Sequence, residues 1–100
     1  MKVAIGAVAR QELEEARSWY ERQHDGLGLR FVKTIEAAIL RIARFPLANT
    51  EIVPGIRRAL VADFPYMVIY SCEMEDEVLS VIAIAHQHRR PGYWQERDDG

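Results

Sequence analysis

Lysine is almost missing from this chain. Of its thirteen basic side chains only Lys2 and Lys33 are lysines, and the other eleven are arginines, set against fifteen carboxylates for a formal net charge of −2. That balance excludes a generally basic nucleic-acid coat and leaves room for a local basic patch. Cysteine is represented by Cys72 alone, so an intrachain disulfide and a cysteine zinc cluster are both ruled out. Between Tyr70 and Met74, that thiol is expected to be buried on a strand. No apolar run approaches the ~20 residues of a membrane span. The opening Met1–Val8 is too short for a signal peptide's apolar core and cleavage region. A cytoplasmic location with no membrane partner is therefore expected. A glycine-rich phosphate loop, a nucleophile elbow and a paired-histidine metalloprotease motif are all lacking, which argues against nucleotide-dependent or hydrolytic metabolic chemistry. No cofactor is expected.

What remains is ordinary material for a globular protein: 49 % hydrophobic and 28 % charged residues. One hundred residues predict a single domain, 1–100, burying roughly 65 % of its unfolded surface, enough for a core but not for a large enclosed active site. Residues 2–7 are short and apolar and predict a strand. From Ala9 the period changes, with Ala9, Leu13, Ala16 and Tyr20 on one helical face and the carboxylates mostly elsewhere. Glu14 and Glu15 are expected near the positive start of that helix. His24-Asp25-Gly26 ends it, and Gly26 and Gly28 supply a reversal. The second helix is the clearest signal in the chain: Phe31, Ile35, Ala38, Ile39, Ile42 and Phe45 form one broad apolar stripe, closed by Pro46. The short link predicts an antiparallel helix hairpin.

Beyond Pro54-Gly55 the period becomes two. Arg58, Leu60, Ala62 and Phe64 alternate with Ala59, Val61 and Asp63, and Pro65 separates this strand from another over Tyr66–Cys72. Glu73-Met74-Glu75-Asp76-Glu77 is an acidic, solvated turn. The strand from Val78 to about His86 places Leu79, Val81, Ala83 and Ala85 on one face and Val78, Ile82 and Ile84 on the other. Two apolar faces mark a central strand, covered on both sides or bound by a partner on one. The predicted fold is α+β: an N-terminal strand, an antiparallel helix hairpin, then a three-stranded antiparallel sheet.

Chemistry concentrates at the strand entry Arg57-Arg58 and in the tail His86-Gln87-His88-Arg89-Arg90-Pro91-Gly92-Tyr93-Trp94, with Arg97 beyond it. Imidazole, guanidinium and phenol groups together suit RNA phosphodiester cleavage, which needs a base, cations for the phosphorane and an acid for the leaving oxygen. Trp94 and Tyr93 either stack on bases or fold back to cap the sheet or the hairpin end. His86 reads as an edge-of-core histidine or a base. His86 and His88 share a strand face, but a zinc site needs about three ligands and no third is evident. Arg57 and Arg58 suit phosphate or the carboxylates of a partner or of the first helix.

A series of landmarks runs along the chain: Leu13-Glu14-Glu15-Ala16 with Trp19-Tyr20-Glu21, Gly26-Leu27-Gly28 with Phe31, Pro46, Gly55-Ile56-Arg57-Arg58, Phe64-Pro65-Tyr66, Ile69-Tyr70, and His86 with Arg89 to Trp94. Their order resembles the RelE/ParE superfamily of toxins from bacterial type II toxin–antitoxin modules, often described as plasmid stabilisation proteins. The resemblance spans nearly the whole chain. It implies a growth-inhibiting toxin neutralised by a cognate antitoxin in a hetero-oligomer. RelE-like members cut mRNA on the ribosome with a cluster of Lys, Arg and a C-terminal Tyr or His. ParE-like members lack that cluster and poison DNA gyrase. Here the strand lysines are missing and Tyr66-Met67 stand where a nuclease arginine is expected, so the resemblance is closer to the ParE-like branch. If the chain is a nuclease, what the resemblance leaves for catalysis is Arg57 or Arg58, His86 or His88, Arg89 or Arg90, and Tyr93, with Arg58, His88, Arg90 and Tyr93 as the expected set. If it acts by binding, Arg57, Ile82, Ile84 and Trp94 are the expected partner contacts. A decayed toxin that only binds its antitoxin is the third reading.

Overall fold

The computed structural model describes residues 1–96. Strand β1 (Lys2–Ile5) leads directly into helix α1 (Ala7–Gln23) and helix α2 (Leu27–Arg44), followed by strands β2 (Glu51–Val53), β3 (Ile56–Leu60), β4 (Tyr66–Glu73) and β5 (Val78–His86) and a 3₁₀ turn at Tyr93–Glu96. The strands form one sheet in the order β1-β5-β4-β3-β2. β1 runs parallel to β5 and the other pairings are antiparallel. The α+β class is as expected, with two more strands in the sheet than the three-stranded reading allowed.

The hairpin covers one face of the sheet. The predicted stripe of α2 is buried from Phe31 to Ile42, with Phe31, Ile35, Ala38, Ile39 and Ile42 in the core beside Ala9 and Ala16 of α1, whereas Phe45, expected on it, caps the end of the helix and is exposed. Burying a side chain of that size contributes about 1.5–3 kcal/mol. The aromatic rings of Tyr20, Phe31, Phe64 and Tyr66 gather at one end, with Tyr20–Phe31, Tyr20–Phe64 and Phe31–Phe64 centroids 5.0, 4.9 and 5.1 Å apart. Phe64 reaches this cluster because the third strand ends at Leu60. Asp63 then turns with φ 65°, which breaks the alternation expected through Phe64.

Other expectations shift as well. Helix α1 starts at Ala7, so Glu14 and Glu15 lie beyond its first turn, where the dipole effect has faded. Glu51-Ile52-Val53, read as loop, pairs with β3 across the Pro54-Gly55 turn, where Gly55 takes φ 81°. Most consequentially, a bulge lies between β4 and β5: Ile69 is opposite Ala83, but Tyr70 is opposite Val81. The extra residue, Ile82, inverts the alternation. Leu79, Val81 and Ile84 therefore share the helix-covered core, whereas Ala83 and Ala85 pack on the opposite face. Ile84, expected beside Ile82, is instead 2 % exposed beneath the hairpin. Cys72 is half-buried on β4 rather than fully buried.

The hairpin link is held by a carboxylate to which no periodicity pointed. Glu21 of α1 accepts the Gly26 and Gly28 N–H groups, each at 2.9 Å, and so caps the start of α2 from outside that helix. Those two bonds hold the Glu21 carboxyl below its ordinary value of 4.5. A depressed carboxyl stabilises the fold above the unfolded pKa, and the effect is lost as pH falls through the folded value. Glu21→Gln should therefore lower the thermal midpoint at neutral pH and flatten its fall below about pH 4.5, as read by circular dichroism melts. At Gly28 an added Cβ would lie 2.7 Å from the Arg17 carbonyl oxygen. Gly28→Ala should cost about 1–3 kcal/mol in urea titrations by forcing the helices apart.

Candidate functional site

The chemistry-bearing residues meet where β5 gives way to the tail. β1 accompanies β5 only through Val81, so the following stretch of β5 has an open edge on that side. Helix α1 closes it: Glu12 presents one carboxylate oxygen to the Ile84 N–H at 3.0 Å. Its other oxygen accepts the Tyr93 hydroxyl at 2.5 Å. A single side chain thus satisfies a strand donor and fastens the tail.

The tail turns because Arg89 N–H donates to the His86 carbonyl at 3.0 Å and Tyr93 N–H to Arg90 at 3.2 Å. Gly92 supplies φ 77°. From this turn the two aromatic side chains part. Tyr93 reaches back to α1, and Trp94, 7 % exposed, packs with Ile69, Ala83 and Ala85 on the sheet face opposite the helices. Both fold back as caps, one on the hairpin and one on the sheet. The Arg89 guanidinium lies 3.9 Å from the Tyr93 ring centroid. The His86 ring stands edge-on to Tyr66 at 5.1 Å and to His88 at 5.0 Å, and its Nδ1 accepts the His88 N–H at 3.0 Å.

These groups line a cleft of about 370 Å³ between α1 and the end of the sheet, walled by Glu12, Glu15, Trp19, Tyr66, His86, Arg89 and Tyr93. Burial first, and then Tyr20 and the Glu12 carboxylate, push the Tyr66 phenol above its ordinary value of 10.0, so it stays a neutral donor at physiological pH. Two carboxylates face one guanidinium here. Among the described residues no group of three His, Cys, Asp or Glu side chains is placed to hold a metal ion.

The four residues named for nuclease chemistry do not converge. Tyr93 directs its hydroxyl to the helix side. Arg58 projects on the other face, in a groove with Leu60 and Trp94 that Arg89 also borders. His88 and Arg90 are exposed in the turn and do not line the cleft. The neighbours His86 and Arg89 take the inward positions instead. Arg97 lies outside the described residues. Arg57, expected at phosphate, a partner or helix α1, donates to the Asn49 and Leu47 carbonyls at 2.7 and 3.4 Å and lies 3.8 Å from Glu51. Beside it the Tyr70 hydroxyl donates to the Pro46 carbonyl at 2.7 Å and accepts from Asn49 at 3.1 Å. Arg57 and Tyr70 together hold the loop that leaves α2.

A family model described as the ParE toxin of type II toxin–antitoxin system, parDE, matches residues 3–91. The chain belongs to the ParE toxin family. Among solved structures it is similar to a chain described as a chromosomal ParDE TA system from P. aeruginosa, with a TM-score of 0.61 and 12 % identity over 86 % of this chain and 95 % of that one. At that identity the likeness speaks to the shared fold. No curated protein matches the chain by sequence. In this ParE-family chain the matched region runs from β1 to Pro91 and stops just short of the aromatic caps. No helix among the described residues is long and apolar enough to cross a membrane.

Glu12 is the site residue that sequence reasoning missed. Its signal was position: a carboxylate three residues after buried Ala9 and four before buried Ala16, on the flank of the apolar stripe. Tyr93→Phe should cost about 1–2 kcal/mol in denaturant titrations, the worth of a partly exposed bond to a charged acceptor. Glu12→Ala should cost more than Tyr93→Phe, since it also strands the Ile84 N–H. Equal losses would mean that the strand edge does not depend on Glu12.

Proposed function

We propose that this ParE-family chain is the toxin of a type II toxin–antitoxin pair that arrests growth by binding DNA gyrase, and that a cognate antitoxin keeps it inactive. The observation that carries the choice of target is the dispersal of its cations. A phosphodiester nuclease needs several positive groups around one phosphate, with an acid and a base in reach. Here Arg89 is shared between the cleft, where it meets Glu12 and Glu15, and the groove that Arg58 lines on the opposite sheet face, and Arg57 is bonded to loop carbonyls, so neither recess gathers more than two guanidinium groups. A cleft with that surplus of carboxylate repels RNA. The ParE-like resemblance pairs the missing cluster with gyrase as target, and the cytoplasm, where gyrase works, is the proposed site of action.

The antitoxin contact is proposed on the sheet face opposite the helices. Ile52, Val53, Ile56 and Ile82 surround Trp94 there, half-buried and apolar. A continuous apolar face of this kind marks an interaction surface. Ile84, under the hairpin, is withdrawn from the set of contacts, and Ile82 and Trp94 stay in it.

Purified toxin should inhibit gyrase supercoiling, trap its cleavage complex, and leave mRNA intact in a translating extract. Cut mRNA with untouched supercoiling would reverse the assignment, and inactivity in both assays would favour a decayed toxin. Arg58→Ala combined with Arg90→Ala should leave toxicity within about threefold of wild type. Antitoxin at ~100 times its Kd should raise toxin stability by about 2.7 kcal/mol. Ile82→Glu should weaken that binding about tenfold or more, measured by calorimetry.

A further inference from the structure

At the end of the sheet farthest from the cleft, three sulfur atoms meet. Cys72 lies near the end of β4, packed at the margin of the helix-covered core. Met74 follows two residues later, at the start of the β4–β5 turn, and its thioether lies against the thiol. Met1 arrives through the register. Lys2 of β1 is opposite Val78 of β5, and Leu79 of β5 is opposite Cys72 of β4, so the residue before β1 stands one strand away from Cys72. The Cys72 Sγ is 3.7 Å from the Met1 Sδ and 3.3 Å from the Met74 Sδ. A thiol carries one proton, so the cluster holds more sulfur acceptors than it has hydrogens to share.

We propose that Met1, Cys72 and Met74 form a binding site for a soft monovalent metal ion, Cu(I). The donor set selects it: one thiolate and two thioethers are soft ligands, suited to Cu(I) and poor for the hard oxygen-seeking cations. The spacing fits as well. Three sulfurs each about 2.3 Å from a central ion, the length of a metal–thiolate bond, stand about 4 Å apart. The Met1 contact at 3.7 Å is close to that spacing, and the Met74 contact at 3.3 Å has to open by about 0.7 Å. Met1 and Met74 are 42 % and 51 % exposed. Their unbranched side chains can make that adjustment without moving a strand.

The surroundings favour a cation. Glu73, Glu75, Asp76 and Glu77 of the β4–β5 turn flank the cluster in sequence and are exposed, and their combined field raises the local cation concentration. On binding, the Cys72 thiol releases its proton to solvent as the copper–sulfur bond forms. Copper remains Cu(I), so the step consumes no oxidant or reductant, and affinity rises with pH. The bound ion ties the start of β1 to β4 across β5 and clamps the edge of the sheet.

The test is an anaerobic titration of the full chain, its Met1 verified by intact mass, with Cu(I) buffered by bicinchoninate. One equivalent should be withheld from the chelator, the thermal midpoint should rise, and X-ray absorption should show three sulfur neighbours. Met74→Leu should weaken binding about tenfold or more, the loss that even outer-shell changes at metal sites produce. Cys72→Ser should abolish it. Met67→Leu, on the other sheet face, should leave it unchanged. A coordination shell of fewer than three sulfurs, or an unaffected Met74→Leu variant, overturns the site and leaves a solvent-accessible thiol. Should Cys72→Ser fail to fold, the sulfur count and Met74→Leu decide the matter by themselves.

Discussion

The phase of β5 depends on one extra residue. Ile82 sits in the bulge against the Ile69–Tyr70 step, and everything C-terminal to it presents the opposite face from the one a regular strand would present. Ile84 and His86 thereby turn toward α1, and Ala83 and Ala85 turn toward Trp94. Without the bulge the small alanines would face the hairpin and the isoleucine would face Trp94. The core would then lose volume on one side and crowd the tail on the other. The bulge also puts the Ile84 N–H where Glu12 receives it, so the latch on the tail follows from the same irregularity.

That latch gives the end of the molecule its two-sided character. Tyr93 and Trp94 are adjacent in sequence but cap opposite faces of the sheet, one through a carboxylate of α1 and the other through apolar packing. The helix side therefore becomes a cleft with a surplus of carboxylate, and the far side an apolar surface organised around an indole. A polyanion is poorly served by the first, and a protein partner is well served by the second. The electrostatic preference of this ParE-family chain is set by which residues the turn points inward. Substituting His86 for His88 and Arg89 for Arg90 keeps the residue types while changing where they act.

Elements with long, regular periodicity were legible in the sequence. The stripe from Phe31 to Ile42 placed α2, and the apolar spacing Ala9, Leu13, Ala16, Tyr20 placed the buried face of α1, because a repeated signal outweighs local noise. Short or interrupted elements were not. β2 offers only three residues, too few for an alternation to register. Asp63 and Ile82 each break a period of two at a single position: Asp63 adopts a left-handed backbone conformation that Asp tolerates without demanding it, and Ile82 has no residue type that announces a bulge. The site suffered most, since a one-residue shift in a tail of mixed His and Arg exchanges neighbours of identical chemistry. Glu12 and Glu21 were hidden for another reason. All but one of their partners are backbone N–H groups, at Ile84 and in the hairpin link, which carry no side-chain signature to match against a carboxylate, and the remaining one, the Tyr93 hydroxyl, is distant in sequence from Glu12.

The parallel pairing of β1 with β5 joins segments far apart in the chain. Lys2 through Ile5 find their partners at Val78 through Val81, so β1 has no seat until β5 has been made. Both helices and three strands lie between them, and contacts that distant form late. The helices, and β2 with β3 and β4, can assemble from neighbours in sequence, whereas β5 and the turn after it complete the sheet last. A chain wired in this way keeps its cleft unbuilt until β5 is in place, because His86 and Tyr93 close against α1 only then.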